Sequence, residues 1–441
     1  MTQASGISNA RMALLFLVML VTAAGNTAMQ SVMPSISTAL RIDDFWILLA
    51  YSWSALLWVV CAPIWARRSD KRGRKAMMAL GLVGFIVSMA LCGAVLWAGL
   101  AGWFTALWTL LAFAAARSLY GGFGSAAPPA VQAYVASRTP RSERTNALSL
   151  IASSFGLGTV IGPVLAPLMI VSFLNLGLVG PFMGFALVGL VALILVRLLL
   201  PNDEPQFAAS GQAAPYSSAS EGMEIEEEID DHEEAQASPQ EPARLKWSDA
   251  RVRPWVIAGL IGGHAQAMVM GIAGFLVLDR LGLRTDPEQG ATYVSLVLVF
   301  GAVATLLAQW GIIPRFKLGP RTATLSGMLV AAFGTAILGA ASSVFGLSLG
   351  YAIASLGFGL FRPGTTAGTS LAVTRAEQGQ ASGIVASVAG ASFIYAPAVG
   401  VGLYNISDWL GFGLVIVFCL IVVILGWRSL QADSEMTRDR N

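Results

Sequence analysis

Charge is what this sequence has least of. Asp, Glu, Lys and Arg make up only 12% of its 441 residues, about half the roughly 25% carried by an ordinary soluble chain. The shortage runs deeper than the total, because 13 of the 25 acidic residues fall between Asp203 and Asp249. With 56% hydrophobic residues and a mean hydropathy of +0.69, the rest of the chain cannot hide its apolar surface from water. That excludes a soluble enzyme, a nucleic-acid binder and a disordered scaffold. The natural solvent is a lipid bilayer.

Histidine and cysteine are scarce as well. His232 lies in the acidic stretch and His264 is the only other histidine, while Cys61, Cys92 and Cys419 sit in apolar runs without ligand-like neighbours. Three scattered cysteines make neither a disulfide framework nor a zinc site, so no metal and no cofactor is expected.

What the chain has in abundance is apolar run length. A helix crossing a hydrocarbon core of about 30 Å needs about 20 apolar residues. Cutting at charges and Pro/Gly clusters leaves twelve such runs, near 12–34, 45–66, 76–98, 103–127, 146–170, 181–200, 254–278, 291–313, 322–342, 346–368, 380–404 and 410–427. Arg11, the six basic residues from Arg67 to Lys75, Arg138, Arg141, Arg144, Arg315, Lys317, Arg321, Arg375 and Arg428 fall on one side, against Arg41, Arg280 and Arg284 on the other. This asymmetry places both termini in the cytoplasm. Thr22-Ala23-Ala24-Gly25 after an apolar start has the look of a cleavage site, but the run continues to Pro34 and an even number of spans needs it, so the first helix is expected to be retained.

Residues 201–250 read as an acidic cytoplasmic linker of net charge −11, from 13 acids against Arg244 and Lys246. It is too poor in apolar residues to fold alone and is expected to be disordered; it lacks the turn glycine of a calcium loop. Residues 1–200 and 251–441 then form two halves. Shifting one on the other by 234 positions aligns 129–163 with 363–397, with nine identities that include Pro129/Pro363, Arg141/Arg375, Glu143/Glu377, Gly156/Gly390 and Pro163/Pro397. Parallel repeats about an axis normal to the membrane leave a central cavity between them. The expected fold is an all-α membrane protein of 12 transmembrane helices in two pseudo-symmetric six-helix bundles.

The loop between spans 2 and 3 reads ARRSDKRGRK from Ala66 to Lys75. Six basic residues there suffice as a topology anchor, but the spacing of Asp70, Gly73 and Arg74 is more particular. It resembles the G-x-x-x-D-R-x-G-R signature of the major facilitator superfamily, with Ala66 for the first Gly and Lys71 for the first Arg. By that resemblance Asp70, Gly73 and Arg74 belong to a cytoplasmic gate whose charge pairs form and break as the halves rock. Gly311–Arg321 is similar to a second copy without the acid.

Span 4 carries RSLYGGFGSAAPP from Arg117, and an Arg in mid-span faces either backbone carbonyls or a cavity. It is similar to the family's motif in this helix, which implies a substrate or proton-relay role. Span 5 carries GLGTVIGPVLAP, where Gly158, Gly162 and Pro163 permit close helix approach and a bend. The same residues resemble the family's antiporter motif, with Ala166 and Pro167 in place of its Gly-Gly. The whole pattern resembles the drug:proton antiporter branch that includes the tetracycline exporters.

For substrate binding or proton relay the candidates are Asn26 and Gln30 of span 1, Arg117, His264 and Gln266 of span 7, Asp279 at the far end of that span, Arg362 and Tyr395. Trp53, Trp58 and Trp310 are further candidates for the cavity wall. No acid stands in span 1, so a positive cavity suits neutral or anionic molecules better than cations. His264 lies near mid-membrane; its plain reading is an uncharged ring bonded across a helix contact, its functional one a proton carrier.

Three functions remain open: proton-coupled efflux of small organic molecules by a monomer in the plasma (inner) membrane, dedicated export of an anionic metabolite such as a siderophore, and a non-transporting receptor or assembly protein using the linker. Deleting residues 205–240 separates the last from the others. A transporter is expected to keep its flux in proteoliposomes, and loss of flux at normal expression would make the linker the functional element.

Overall fold

In the computed structural model the described residues are 7–139, 141–172, 176–201, 245–373 and 377–434. Among them there are helices and no strand. The first half comprises α1 (Asn9–Ala39), α2 (Asp44–Arg72), α3 (Arg74–Leu100), α4 (Ala106–Gly122), α5 (Ala127–Arg138), α6 (Arg141–Ser172) and α7 (Gly180–Leu199). The second comprises α8 (Arg253–Leu281), α9 (Pro287–Leu306), the short α10 (Ile313–Phe316), α11 (Pro320–Ala340), α12 (Val344–Leu371), α13 (Gln378–Ile406) and α14 (Asp408–Ser429). Ten of the helices are long and apolar enough to cross a membrane. The other two expected runs are span 4, built from α4 and α5, and α6 with its apolar stretch Gly156–Ile170.

Each span reverses direction on its predecessor, so the bundle has two ends. The basic end carries Arg74, Lys75, Arg197, Arg251, Arg315, Lys317, Arg321 and Arg428; the distal end carries Asp43, Asp44, Asp279, Arg284, Glu288 and Asp408. Between the ends, Val191 (49% exposed), Val417 (48%) and Phe333 (63%) point outward. Those side chains have no stable place in water and an ordinary one in lipid.

Two departures from regular helix have local causes. Span 4 breaks at Gly122-Phe123-Gly124, because Pro128 and Pro129 cannot donate back to the preceding turn. The expected run 103–127 is therefore displaced: Trp103 and Phe104 stay in the distal loop, and helix continues to Arg138. Span 8 widens into a π turn at Leu307–Ile312, immediately before Pro314, whose missing N–H and bulky ring an α turn tolerates poorly.

Close packing depends on small residues. A Cβ on Gly158 would lie 2.6 Å from Ala23 Cβ and 2.7 Å from the Leu20 carbonyl oxygen, and one on Gly162 would overlap Thr27 and the Ala24 carbonyl. Thus α6 rides directly on α1, and Pro163 follows within the same helix. On α12, Gly350, Gly357 and Gly364 recur every seven residues and face Leu338, Ala331 and Thr324 of α11 at the same spacing. That heptad of small residues holds α11 and α12 backbone to backbone.

At the loop between α2 and α3, Gly73 has φ 87° and ψ 143°, a region only glycine occupies comfortably. Arg74 beside it is buried; the side chain of Asp70 lies outside the described residues. So does most of the acidic linker. Its last residues, 245–250, are folded rather than disordered: Leu245 is 8% exposed against Val252, Val256 and Ala381, and Arg251 pairs with Asp249 and Glu377, each at 2.9 Å.

The glycine heptad gives a clean stability test. Gly357→Val is expected to cost about 1–3 kcal/mol or more by overpacking and to lower the thermal midpoint measured by fluorescence-detected gel filtration. Gly413→Ala, with nothing within 4 Å of the added carbon, is expected to leave it unchanged.

Candidate functional site

Arg117 is set about 16 Å below the distal end of α4 and is 4% exposed. The helix around it is tied from both sides. Ser54 Oγ donates to the Arg117 carbonyl at 3.1 Å, Ser88 Oγ to the Ala116 carbonyl at 2.8 Å, and Trp53 Nε1 to Ser118 Oγ at 2.8 Å. Where α4 breaks, Trp65 Nε1 caps the Gly122 carbonyl at 2.5 Å. These side-chain donors tie α4 to α2 and α3 on either side of Arg117 and fix its position.

The guanidinium has little to hold it. Nη2 donates to Asn26 Oδ1 at 3.1 Å, and its plane stacks 4.8 Å from the Tyr51 ring centre and 4.9 Å from that of Tyr120. Nε and Nη1 are buried without partners, and so is the Tyr51 hydroxyl. Cation–π contacts return about 0.5–2 kcal/mol each, whereas each orphan donor costs about 1–3 kcal/mol and an unpaired buried charge more. The balance is unfavourable until an acceptor arrives.

Beside this cation lies a cavity of about 290 Å³ between the two halves. Asn26, Gln30 and Pro34 of α1, Tyr51, Ser54 and Trp58 of α2, and Arg117 and Tyr120 of α4 form one wall. Met270, Gly271, Gly274 and Phe275 of α8 with Leu298, Phe393 and Pro397 form the other. No Asp or Glu is among the described lining residues.

At the distal end of the bundle an ion cluster ties the halves together. Arg284 grips Asp44 of α2 through both oxygens, at 3.1 and 2.7 Å, and reaches Thr38 of α1 at 3.2 Å. The same guanidinium holds Asp279 at 2.5 Å, which also accepts from the Tyr404 hydroxyl at 2.7 Å. Burial would lower the Arg284 pKa, but hydrogen bonds to Asp44 and Asp279 outweigh it and hold the pKa above the usual value. Asp44 is only 6% exposed, which a bidentate partner makes tolerable. Below the cluster, Pro34 packs on Gly274 and Phe45 on Gly402.

Of the sequence candidates, Asn26, Gln30 and Arg117 meet in this cavity. Asp279 belongs to the distal cluster. His264 and Tyr395 meet each other instead: Nε2 lies 2.5 Å from the Tyr395 hydroxyl and Nδ1 2.7 Å from the Leu260 carbonyl, which only a protonated Nδ1 can satisfy. Gln266 and Arg362 line a separate small cavity of the second half. Of the aromatic candidates Trp58 lines the wall, while Trp53, Trp310 and Tyr395 are about half exposed. Sequence reading passed over Tyr51, Tyr120, Asp44 as a partner of Arg284, and Phe393. Tyr120 stands three residues after Arg117 and was legible as a neighbour on the same face.

Residues 15–317 match the family model described as the Major Facilitator Superfamily. The chain belongs to this superfamily. It is 32% identical over 158 residues to a multi-drug resistance efflux pump PmrA homolog of Lactococcus lactis, covering 36% of this chain and 35% of that protein. The first of these relatives are thus matched over about a third of their length. To the class C tetracycline resistance protein of Escherichia coli it is 24% identical over 391 residues, 87% of this chain and 86% of that one. Its fold matches a crystal structure titled as a bacterial homolog of the human lysosomal transporter Spinster, inward-facing and occupied. That match has a TM-score of 0.66 and 13% identity, and covers 98% of this chain and 97% of the other.

The distal cluster yields a direct prediction. With Cys61 changed to Ser and a reporter cysteine at Gln30, Arg284→Gln is expected to raise several-fold the rate at which an impermeant maleimide applied to the distal face labels the reporter. An unchanged rate would mean that the cluster does not close this end.

Proposed function

We propose that this member of the superfamily exports small organic molecules bearing an anionic or strongly accepting group, which docks on Arg117. The observation that carries the reading is the guanidinium itself, buried at the cavity wall with Nε and Nη1 unpartnered and no carboxylate among the described lining residues. An acceptor that displaces the Tyr51 ring would satisfy Arg117 and the Tyr51 hydroxyl together. The basic end is read as cytoplasmic from its excess of Lys and Arg, which puts both termini inside and the Arg284 cluster outside. The cavity is then sealed outward in this conformation. The relatives named as drug efflux and tetracycline resistance proteins support the export direction.

Coupling to protons is proposed through His264, because a carrier must be reachable from both sides. His264 lies about 16 Å from the basic end of α8, while Asp279 is about 39 Å away and at the surface. A second reading rests on the two hydrogen bonds that satisfy His264 as a neutral ring. An anion leaving a negative interior gains about 2.3 kcal/mol per 100 mV, so potential alone drives its export.

Proteoliposomes given either a pH gradient or a potassium-diffusion potential separate the two. The first reading expects His264→Gln to abolish flux driven by the pH gradient and to spare exchange; undiminished flux leaves the potential as the driver. In both, Arg117→Lys is expected to lose most transport at normal expression, since a point charge cannot reproduce the planar fork. Full activity in the Lys variant would remove Arg117 from the binding step.

A further inference from the structure

The central cavity has two walls of unlike chemistry, and they belong to different halves. The first half brings polar groups: Asn26 and Gln30 from α1, Tyr51 from α2 and Arg117 from α4. Among the described residues Arg117 Nε and Nη1 and the Tyr51 hydroxyl have no partner, while Ser54 Oγ is engaged by the Arg117 carbonyl at 3.1 Å. The second half brings Met270, Phe275, Leu298, Phe393 and Pro397, with Ala267 and two glycines. Those glycines leave no notch: a Cβ on Gly271 would lie 2.9 Å from Pro397, and one on Gly274 2.6 Å from Pro34. Apart from the Met270 thioether, a weak acceptor, no described side chain of this second wall can form a hydrogen bond.

A ligand seated between such walls needs two unlike ends. An acid group facing the first wall accepts charge-assisted hydrogen bonds from Arg117 and a further one from Tyr51. Whatever lies on the second wall must be apolar. A second ionised group there would lose its water and find neither donor nor counter-charge, which costs more than any burial of ring surface returns. The rings of Phe275 and Phe393 suit a flat aromatic body. Size limits that body, because about 290 Å³ stands at the lower end of the roughly 300–1,000 Å³ of sites for drug-sized ligands. One or two rings fit better than a larger framework.

We propose that the cavity selects single-headed aromatic acids, with one anionic group held by the first half and one small uncharged ring system held by the second. Met270, Phe275 and Leu298 are the residues that exclude a second charge. The proposal rests on the reading of Arg117 as the partner of the anion and narrows it from anions at large to monoanions. Diacids with their second carboxylate at the far end of the body are rejected by the second wall, whatever their fit at Arg117.

Displacement of tritiated 2-naphthoate from the full chain in lipid nanodiscs, corrected for empty nanodiscs, tests the selection. The competitors are 2-naphthoate, its neutral amide 2-naphthamide, naphthalene-2,6-dicarboxylate, and acetate as a head without a body, all at about pH 7, where every carboxyl is ionised. The monoacid is expected to displace best, with the amide, the diacid and acetate each weaker by about tenfold or more. Met270→Lys, which puts an ammonium on the second wall, is expected to narrow the gap between diacid and monoacid about tenfold; Leu298→Lys does the same from α9 should the first variant fail to fold. The ranking in wild-type protein needs no variant. Absence of saturable probe binding, a diacid or acetate that displaces as well as the monoacid, or a gap that a folded Lys variant leaves unchanged overturns the proposal. If the acid still outcompetes the amide in that case, Arg117 keeps its place as the anion's partner. Equal displacement by acid and amide removes Arg117 from the site and takes the proposal with it.

Discussion

A guanidinium in mid-membrane without a carboxylate is the interaction on which the rest of this structure turns. Among the described residues Arg117 makes one side-chain hydrogen bond, to Asn26, and lies within 5 Å of the Tyr51 and Tyr120 ring centres, at 4.8 and 4.9 Å. In a low-dielectric interior such a group is expensive, and the surrounding helices are arranged to hold it in place rather than to neutralise it. Ser54, Ser88, Trp53 and Trp65 all bond to α4 within a turn or so of Arg117. A scaffold that immobilises an under-satisfied cation beside a cavity leaves its strongest interaction for a ligand.

The two ends of the molecule answer a different constraint. A cavity between halves serves transport only if each end can close in turn, and the charged tie between the halves is distal. Arg284 binds carboxylates of both halves at once, so parting the halves separates Asp44 from Arg284 while Asp279 and Tyr404, both in the second half, can stay with it. The tie is breakable because Arg284 itself is a third exposed and reachable by water. Within each half, by contrast, contact is made by backbone approaching backbone at Gly158, Gly162, Gly350 and Gly357.

The architecture was legible because a bilayer converts it into run length: each of the twelve apolar runs became a span, with ends displaced where glycine and proline break a helix. The break in span 4 was written in GGFGSAAPP, yet its consequence, helix running on to Arg138, was not read. The glycines spaced by seven in α12 were equally visible and equally unread. Within the site, Asn26, Gln30 and Arg117 stood out as polar residues in apolar runs, and they do meet. His264 and Arg362 stood out for the same reason but face other helices, since one-dimensional polarity says that a residue is inside without saying toward what. The pairing of Asp44 with Arg284, 240 positions apart, carries no local mark at all.

The central claim is that Arg117 selects an acceptor-bearing, preferably anionic, molecule in the cavity between the halves. Counterflow with a matched pair, an aromatic carboxylate that the protein transports and its neutral carboxamide, measures that preference without any imposed gradient. The account expects wild-type protein to favour the acid by about tenfold or more, the worth of a charge-assisted hydrogen bond, and Arg117→Gln to abolish the preference while still exchanging the amide. An acid-to-amide ratio that is the same in both proteins would contradict it.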